Sequence, residues 1–97
     1  MPVYRLDWDP AKAEANRQKH GVSFAEAATV FLDPRAVSVY DAEHSEIEDR
    51  WITLGISSVG RLLVVCHTFD EIGARRGLVR VISARKPTAK EAQQYGE

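Results

Sequence analysis

The chain has 97 residues, of which 44% are hydrophobic and 28% charged, values typical of one ordinary globular domain. Its longest apolar run, Leu62–Cys66, is far too short for a membrane-spanning helix of ~20 residues. No signal peptide is recognisable at the start, and the single Cys66 cannot form an internal disulfide. We therefore expect a single domain over residues 1–97 that is located in the cytoplasm.

The net charge of −1 is the sum of two halves with opposite sign. Residues 1–49 hold five Lys/Arg and ten Asp/Glu, whereas residues 50–97 hold eight and four. No acidic residue occurs between Ile72 and Lys90, a segment that contains six basic ones. Local charge decides whether a surface attracts phosphates. The C-terminal half can therefore bind nucleic acid, although the net charge argues against it.

The first half predicts two consecutive helices. Asp9 can cap the free amide groups of the first helix, and Pro10 fits its first position because no N–H is needed there. Gly21 predicts the end of this helix. Ser23 and Glu26 form a predicted capping box that begins the second helix.

Beyond Pro34 the pattern changes to strands. Ser57–Gly60 is typical of a hairpin turn, and Thr88 with Glu91 predicts a capping box for a last helix that runs to Tyr95. Segregated helices and strands indicate an α+β fold, here an antiparallel sheet of four or five strands with two N-terminal helices and one C-terminal helix. The predicted strands cover residues 3–8, 36–40, 51–57, 61–69 and 78–84, and the predicted loops include 41–49 and 70–77.

Basic residues and one histidine stand on or beside the predicted strands. Metal-free RNA cleavage requires removal of a 2′-hydroxyl proton, stabilisation of an anionic phosphate and protonation of the leaving oxygen. Arginine suits the phosphate and histidine suits proton transfer. Strict alternation along a strand predicts that Arg80 and Arg85 face opposite sides, so that only one of them points into a site unless the strand end twists. The residues that a sheet can bring together are Arg50, His67, Arg80, Arg85 and Lys86.

The same residues have simpler explanations. Arg50 and Arg80 can be solvent-facing charges on edge strands, and spacing alone favours His67 as a core histidine that is hydrogen-bonded to backbone. Cys66 lies among valines as an inert core thiol. The acidic segment 41–49 contains metal-type ligands, although most such runs are solvated loops.

Several motifs follow one another in a fixed order from Trp8 to Tyr95. The most specific are WDPAK at residues 8–12, KHGVSF at 19–24 and ISAR at 82–85. The other segments are Asn16, Glu26-Ala27, Val30–Pro34, Glu48–Trp51, Leu63–Val65, His67-Thr68, Val81, Lys86 and Glu91. In this combination the chain resembles the BrnT family, toxins of bacterial type II toxin–antitoxin pairs.

The resemblance implies a RelE-like fold and a ribonuclease that inhibits translation without a metal or other cofactor. It also implies a BrnA-like antitoxin whose ribbon-helix-helix domain binds the operator. The toxin would then meet DNA only through this partner, and a toxin dimer within the complex is compatible with that arrangement.

Carried over by position, the resemblance also implies roles for individual residues. The arginines would hold the scissile phosphate, and His67 would act as general acid or base. The catalytic residues that it implies are Arg50, His67, Arg80 and Arg85, and the substrate-binding residues are Lys86, Lys90 and Tyr95.

Two other functions remain open from the sequence. One is a non-catalytic co-repressor module whose basic sheet binds DNA or protein together with a DNA-binding partner. The other is a metal-dependent nuclease that uses the acids of residues 41–49.

Overall fold

The computed structural model describes residues 3–95, which form a mixed α+β fold as predicted. Short 3₁₀ helices occur at Thr29–Leu32 and Ala42–His44, and no described helix has the length and apolar character needed to cross a bilayer. The strands are β1 (Val3–Asp7), β2 (Val37–Tyr40), β3 (Arg50–Ile56), β4 (Leu62–Gly73) and β5 (Arg76–Arg85). The helices are α1 (Pro10–His20), α2 (Phe24–Ala28) and α3 (Ala89–Gln94).

The five strands form one sheet in the order β1-β5-β4-β3-β2. Neighbouring strands are antiparallel except for β1, which pairs in parallel with β5. The expectation of a purely antiparallel sheet is therefore wrong at this edge, because the chain crosses from β1 through both N-terminal helices before it enters the rest of the sheet. We call the side covered by α1 and α2 the helix face, and the other side, where α3 lies near β2–β4, the open face.

The hydrophobic core lies between the helix face and the two N-terminal helices. Phe24 and Val30 pack against Leu63, Val65 and Val81, and all five are almost completely buried. Full burial of each such side chain contributes roughly 1.5–3 kcal/mol. This core fixes which strand residues point inward, and it therefore also fixes which ones reach the open face.

The segment 70–77 is not the loop that its glycines suggest. The β4–β5 hairpin continues to Gly73 and Arg76, and its turn contains Arg75 in the left-handed region at φ 58°. Gly77 makes room for this extension, since an added Cβ would lie 2.5 Å from the Phe69 ring. The parallel pairing with β1 also covers residues 76–80.

The helix caps predicted from the sequence are present at α1 and α3, and the one predicted for α2 is present only in part. The Ser23 hydroxyl accepts from the backbone N–H of Glu26, as predicted. The Glu26 carboxylate does not complete the box, because it accepts instead from Arg61 at 2.7 Å and from Ser57 at 2.8 Å. Both bonds of the box between Thr88 and Glu91 are present.

Asn16 connects α1 to the sheet. Its amide nitrogen donates to the carbonyls of Val22 at 3.0 Å and Ala84 at 2.9 Å, and its amide oxygen accepts from the Ala84 N–H at 3.1 Å. The side chain is buried, so these three backbone groups have no access to bulk water as a replacement. The bonds hold the α1–α2 turn against the end of β5.

We expect Asn16→Ala to lower the free energy of unfolding by about 3 kcal/mol, because it leaves buried backbone groups unpaired. Urea denaturation monitored by circular dichroism measures this change. Gln18→Ala, on the exposed side of the same helix, is the control and should change stability by less than about 0.5 kcal/mol. Equal effects of the two substitutions would contradict the assigned role of Asn16.

Candidate nucleic-acid interface

A row of polar residues crosses the open face. Arg50 on β3 is paired with Thr68 on β4, which is paired with Arg80 on β5, which in turn is paired with Asp7 on β1. Adjacent strands lie ~4.8 Å apart, so the Cα atoms of the two arginines are about 10 Å apart. We call these four residues the arginine row. The sequence identified its two arginines but not Thr68 or Asp7, because strand register depends on pairings that no local pattern shows.

A β-bulge brings Arg85 to the same face as the arginine row. Cys66 pairs with Ser83 and His67 pairs with Val81, so Ile82 is an extra residue in β5. The extra residue reverses the alternation that follows it. The expectation that Arg80 and Arg85 face opposite sides is therefore wrong.

Arg85 is held by an ion pair with α3. Its two terminal nitrogens donate to the carboxylate oxygens of Glu91 at 2.7 and 2.9 Å. The Arg85 guanidinium lowers the pKa of Glu91 to about 2, and Glu91 in turn raises the pKa of Arg85. The side chain of Arg85 remains 37% exposed, so its guanidinium can still contact a ligand on this face.

Arg50 is only partly neutralised by its surroundings. Its terminal nitrogen lies 3.6 Å from the Glu48 carboxylate, a long contact on the exposed side of the chain. Within residues 3–95 its buried Nε–H has no hydrogen-bond partner. A buried donor without a hydrogen-bond partner lowers the free energy of unfolding by about 1–3 kcal/mol. An anion bound beside it would supply the missing acceptor.

His67 lies on the helix face, away from the arginines. Its Nε2 is 2.7 Å from the Thr53 hydroxyl and its Nδ1 is 3.1 Å from the Thr68 carbonyl. Its ring packs edge-to-face against Phe31, and burial lowers its pKa. The expectation that His67 converges with the arginines is wrong in this geometry, because successive residues of a strand point to opposite faces.

The remaining predicted residues lie around α3. Lys86 and Lys90 are exposed on either side of its first residue, beyond the end of β5. Tyr95 lies past the other end of α3, where its hydroxyl donates to Asp33, and this bond raises its pKa. The two lysines therefore extend the basic surface near Arg85, whereas Tyr95 belongs to the contact between α3 and the 3₁₀ turn.

The acidic segment 41–49 does not gather into a cation site. Among residues 3–95, no three His, Cys, Asp or Glu side chains come together in an arrangement able to hold a metal ion. Within this segment, the His44 ring instead pairs with Asp41 at 2.8 Å.

Comparisons with known proteins identify the family and support the fold. The model of a family described as "Ribonuclease toxin, BrnT, of type II toxin-antitoxin system" matches residues 8–91. The structure is similar to the crystal structure of the Brucella abortus ribonuclease toxin BrnT, with a TM-score of 0.59 and 23% identity over 89% of this chain and 97% of that one. No curated protein matches the sequence.

We expect the Arg85–Glu91 pair to make stability depend on pH. Because the pKa of Glu91 falls from 4.5 to about 2 on folding, its contribution is fully present above pH 4.5 and is lost as the pH falls through about 2. Glu91→Gln should lower the free energy of unfolding at pH 7 by about 1 kcal/mol, since solvent screens the half-exposed pair. It should also reduce the fall in stability between pH 4.5 and 2.

Urea denaturation at several pH values measures both effects. Glu14→Gln, in the more exposed Glu14–Arg17 pair, is the matched control and should leave stability nearly unchanged. Identical pH profiles for the wild type and Glu91→Gln would show that the pair does not stabilise α3.

Proposed function

The chain belongs to the BrnT family of ribonuclease toxins of type II toxin–antitoxin systems, and we propose that it is a metal-independent endoribonuclease whose open face binds RNA. The observation that carries the proposal is the arrangement of three arginines on that face. Arg50 and Arg80 share one row across the sheet, and the bulge adds Arg85 of β5, which pairs with β4 about 13 Å from that row along the strand direction. This spacing allows contacts with more than one phosphate of a single strand.

In the proposed reaction the 2′-hydroxyl attacks the adjacent phosphate and the P–O5′ bond breaks, which leaves a 2′,3′-cyclic phosphate. The leaving 5′-oxygen takes a proton from water at this solvent-exposed face. The phosphate gains negative charge as the new P–O bond forms, and guanidinium groups stabilise this charge through paired N–H donors. Arg50 and Arg80 flank Thr68, and we assign the scissile phosphate to the space between them. Asp7 is the carboxylate of the same row, and it is the group nearest in register to Arg80 that could accept the 2′-hydroxyl proton.

The same arrangement supports metal independence. The arginines carry permanent positive charge at the face where the phosphate would bind, which is the contribution that a divalent cation makes in other nucleases. Lys86 and Lys90 would add attraction for the flanking backbone. Their contribution should decrease with salt, as for any contact with a nucleic-acid phosphate.

The family also suggests an antitoxin partner and an RNA substrate. We propose that cleavage inhibits translation and that a BrnA-like antitoxin neutralises the activity. This antitoxin would connect the toxin to operator DNA through its own ribbon-helix-helix domain. A toxin dimer would form within that complex.

We expect Arg50→Ala and Arg80→Ala each to reduce RNA cleavage by about 100-fold, because each removes a charged donor from the developing phosphate charge. Purified protein is incubated with RNA in EDTA, and the rate and the cut ends are measured. The wild type should cleave under these conditions and leave 2′,3′-cyclic phosphate or 3′-phosphate ends.

Arg17→Ala, on an exposed position of α1, is the matched control and should retain the full rate. Cleavage that stops in EDTA would overturn the metal-free mechanism. Absence of cleavage by the wild type, with or without ribosomes, would instead favour the co-repressor module.

We expect His67→Gln to retain RNA cleavage within about threefold, because the ring faces away from the arginines and glutamine can still bond Thr53. The cleavage assay and urea denaturation are measured together. If His67→Gln reduced the rate of RNA cleavage as much as Arg80→Ala and left stability unchanged, His67 would have the role in proton transfer that the sequence suggested.

A further inference from the structure

A cavity of about 450 Å³ opens on the helix face, on the other side of the sheet from the arginine row. Its walls are aromatic. Tyr4 and Phe69 form an edge-to-face pair with ring centroids 6.0 Å apart, and Trp51 contributes from β3. Phe31 reaches in from the 3₁₀ turn, with its ring 4.8 Å from that of His67. We call this the aromatic cavity.

A chain of hydrogen bonds determines the polarity of the cavity. The Thr68 carbonyl can only accept, so Nδ1 of His67 carries the proton that bonds it at 3.1 Å. Burial favours the neutral ring, so Nε2 accepts from Thr53 at 2.7 Å. The Thr53 oxygen then accepts from Ser38, also at 2.7 Å. Ser38 has donated its only proton, and it therefore presents an acceptor to the cavity that it lines.

Two carboxylates, those of Asp33 and Asp49, lie on or beside the cavity wall. The Asp33 carboxylate lines it, and hydrogen bonds from backbone amides and a tyrosine hydroxyl lower its pKa. Tyr40, whose ring packs edge-to-face on Trp51, donates to Asp49 in the acidic segment 41–49. That segment holds five Asp/Glu and no Lys or Arg, and none of the residues that line the cavity is Lys or Arg.

We propose that the aromatic cavity is the docking site for a Lys or Arg side chain that the antitoxin presents within a partly apolar segment. Ring faces attract cations, the Ser38 oxygen and the Asp33 carboxylate accept N–H donors, and the apolar walls bury the aliphatic stem of such a side chain. The inference rests on the proposed function, because it takes the antitoxin as the partner.

Charge selects a basic side chain over a nucleobase. Aromatic rings also stack on bases, but a base brings a phosphate with it. Asp33 on the cavity wall and Asp49 beside Tyr40 would repel that phosphate, and the arginines that would attract it lie on the opposite face. The two faces of the sheet therefore fit two different partners.

The direct test is an NMR titration of the intact protein with N-acetyl-L-arginine amide, with N-acetyl-L-citrulline amide as its neutral isostere and with adenosine. We expect the arginine probe to shift the resonances of Trp51, Phe69 and Ser38, and the citrulline probe to bind about tenfold more weakly. Equal binding of the two amides, tighter binding of adenosine, or no shift at these residues would overturn the proposal.

The second test separates docking from catalysis in cells. Trp51→Ala and Phe69→Ala should retain RNA cleavage in vitro but should stop growth even when the antitoxin is co-expressed. Ile72→Ala, an exposed residue of the β4–β5 hairpin that does not line the cavity, is the matched control and should still be neutralised. If Trp51→Ala fails to fold, Ser38→Leu, which fills the cavity entrance from exposed β2, takes its place.

Normal neutralisation of these cavity variants by the antitoxin would refute the docking site and leave the ribonuclease proposal intact. Failure of the ribonuclease proposal has a different signature. In that case the wild type would show no cleavage, whatever its response to the arginine probe.

Discussion

The extra residue in β5 is the constraint on which the rest of the structure depends. Val81 and Ala84 are three residues apart, yet both point into the core between the sheet and the N-terminal helices. Regular alternation would place one of them on the opposite side. The bulge at Ile82 allows both to be buried, and the same change of phase puts Arg80 and Arg85 together on the open face. Core packing and the basic surface are therefore set by one local irregularity.

The two faces of the sheet differ in chemistry because strand neighbours point in opposite directions. Thr68 stands in the arginine row, while His67 beside it is 5% exposed and bonded to Thr53. In the same way, Arg50 lies on the open face, whereas its neighbour Trp51 lines the aromatic cavity. The net charge of −1 describes neither face, since the Asp33 carboxylate lines the cavity and the arginines of the row lie on the opposite face. Small proteins with a single sheet can thus contact two unlike partners without a second domain.

Local signals in the sequence were sufficient for the helices and for most of the sheet. The caps at Asp9 and Thr88 and the stop at Gly21 were predicted correctly, because a cap involves residues only a few positions apart. The hairpin over 70–77 has no local signal in the sequence, since its strands are stabilised by the distant pairing with β1 and by space at Gly77. The candidate arginines were found by residue type, but their common face depends on the bulge, which no pattern in the sequence indicated. Spacing alone favours His67 as a core histidine bonded to backbone, and the structure confirms this, whereas the family resemblance places it with the arginines.

The parallel pairing of β1 with β5 has a consequence for synthesis of the chain. Val3 pairs with Arg76, and Asp7 pairs with Arg80. The first strand is therefore synthesised long before the strand with which it pairs. Contacts between such distant residues form late, because the intervening chain must be ordered before the two strands meet. The arginine row, which includes Asp7 and Arg80, is therefore completed only after β5 has been made. A nascent or truncated chain that ends before β5 lacks the parallel edge and two of the three arginines of the open face, so the basic surface is complete only once β5 has been translated.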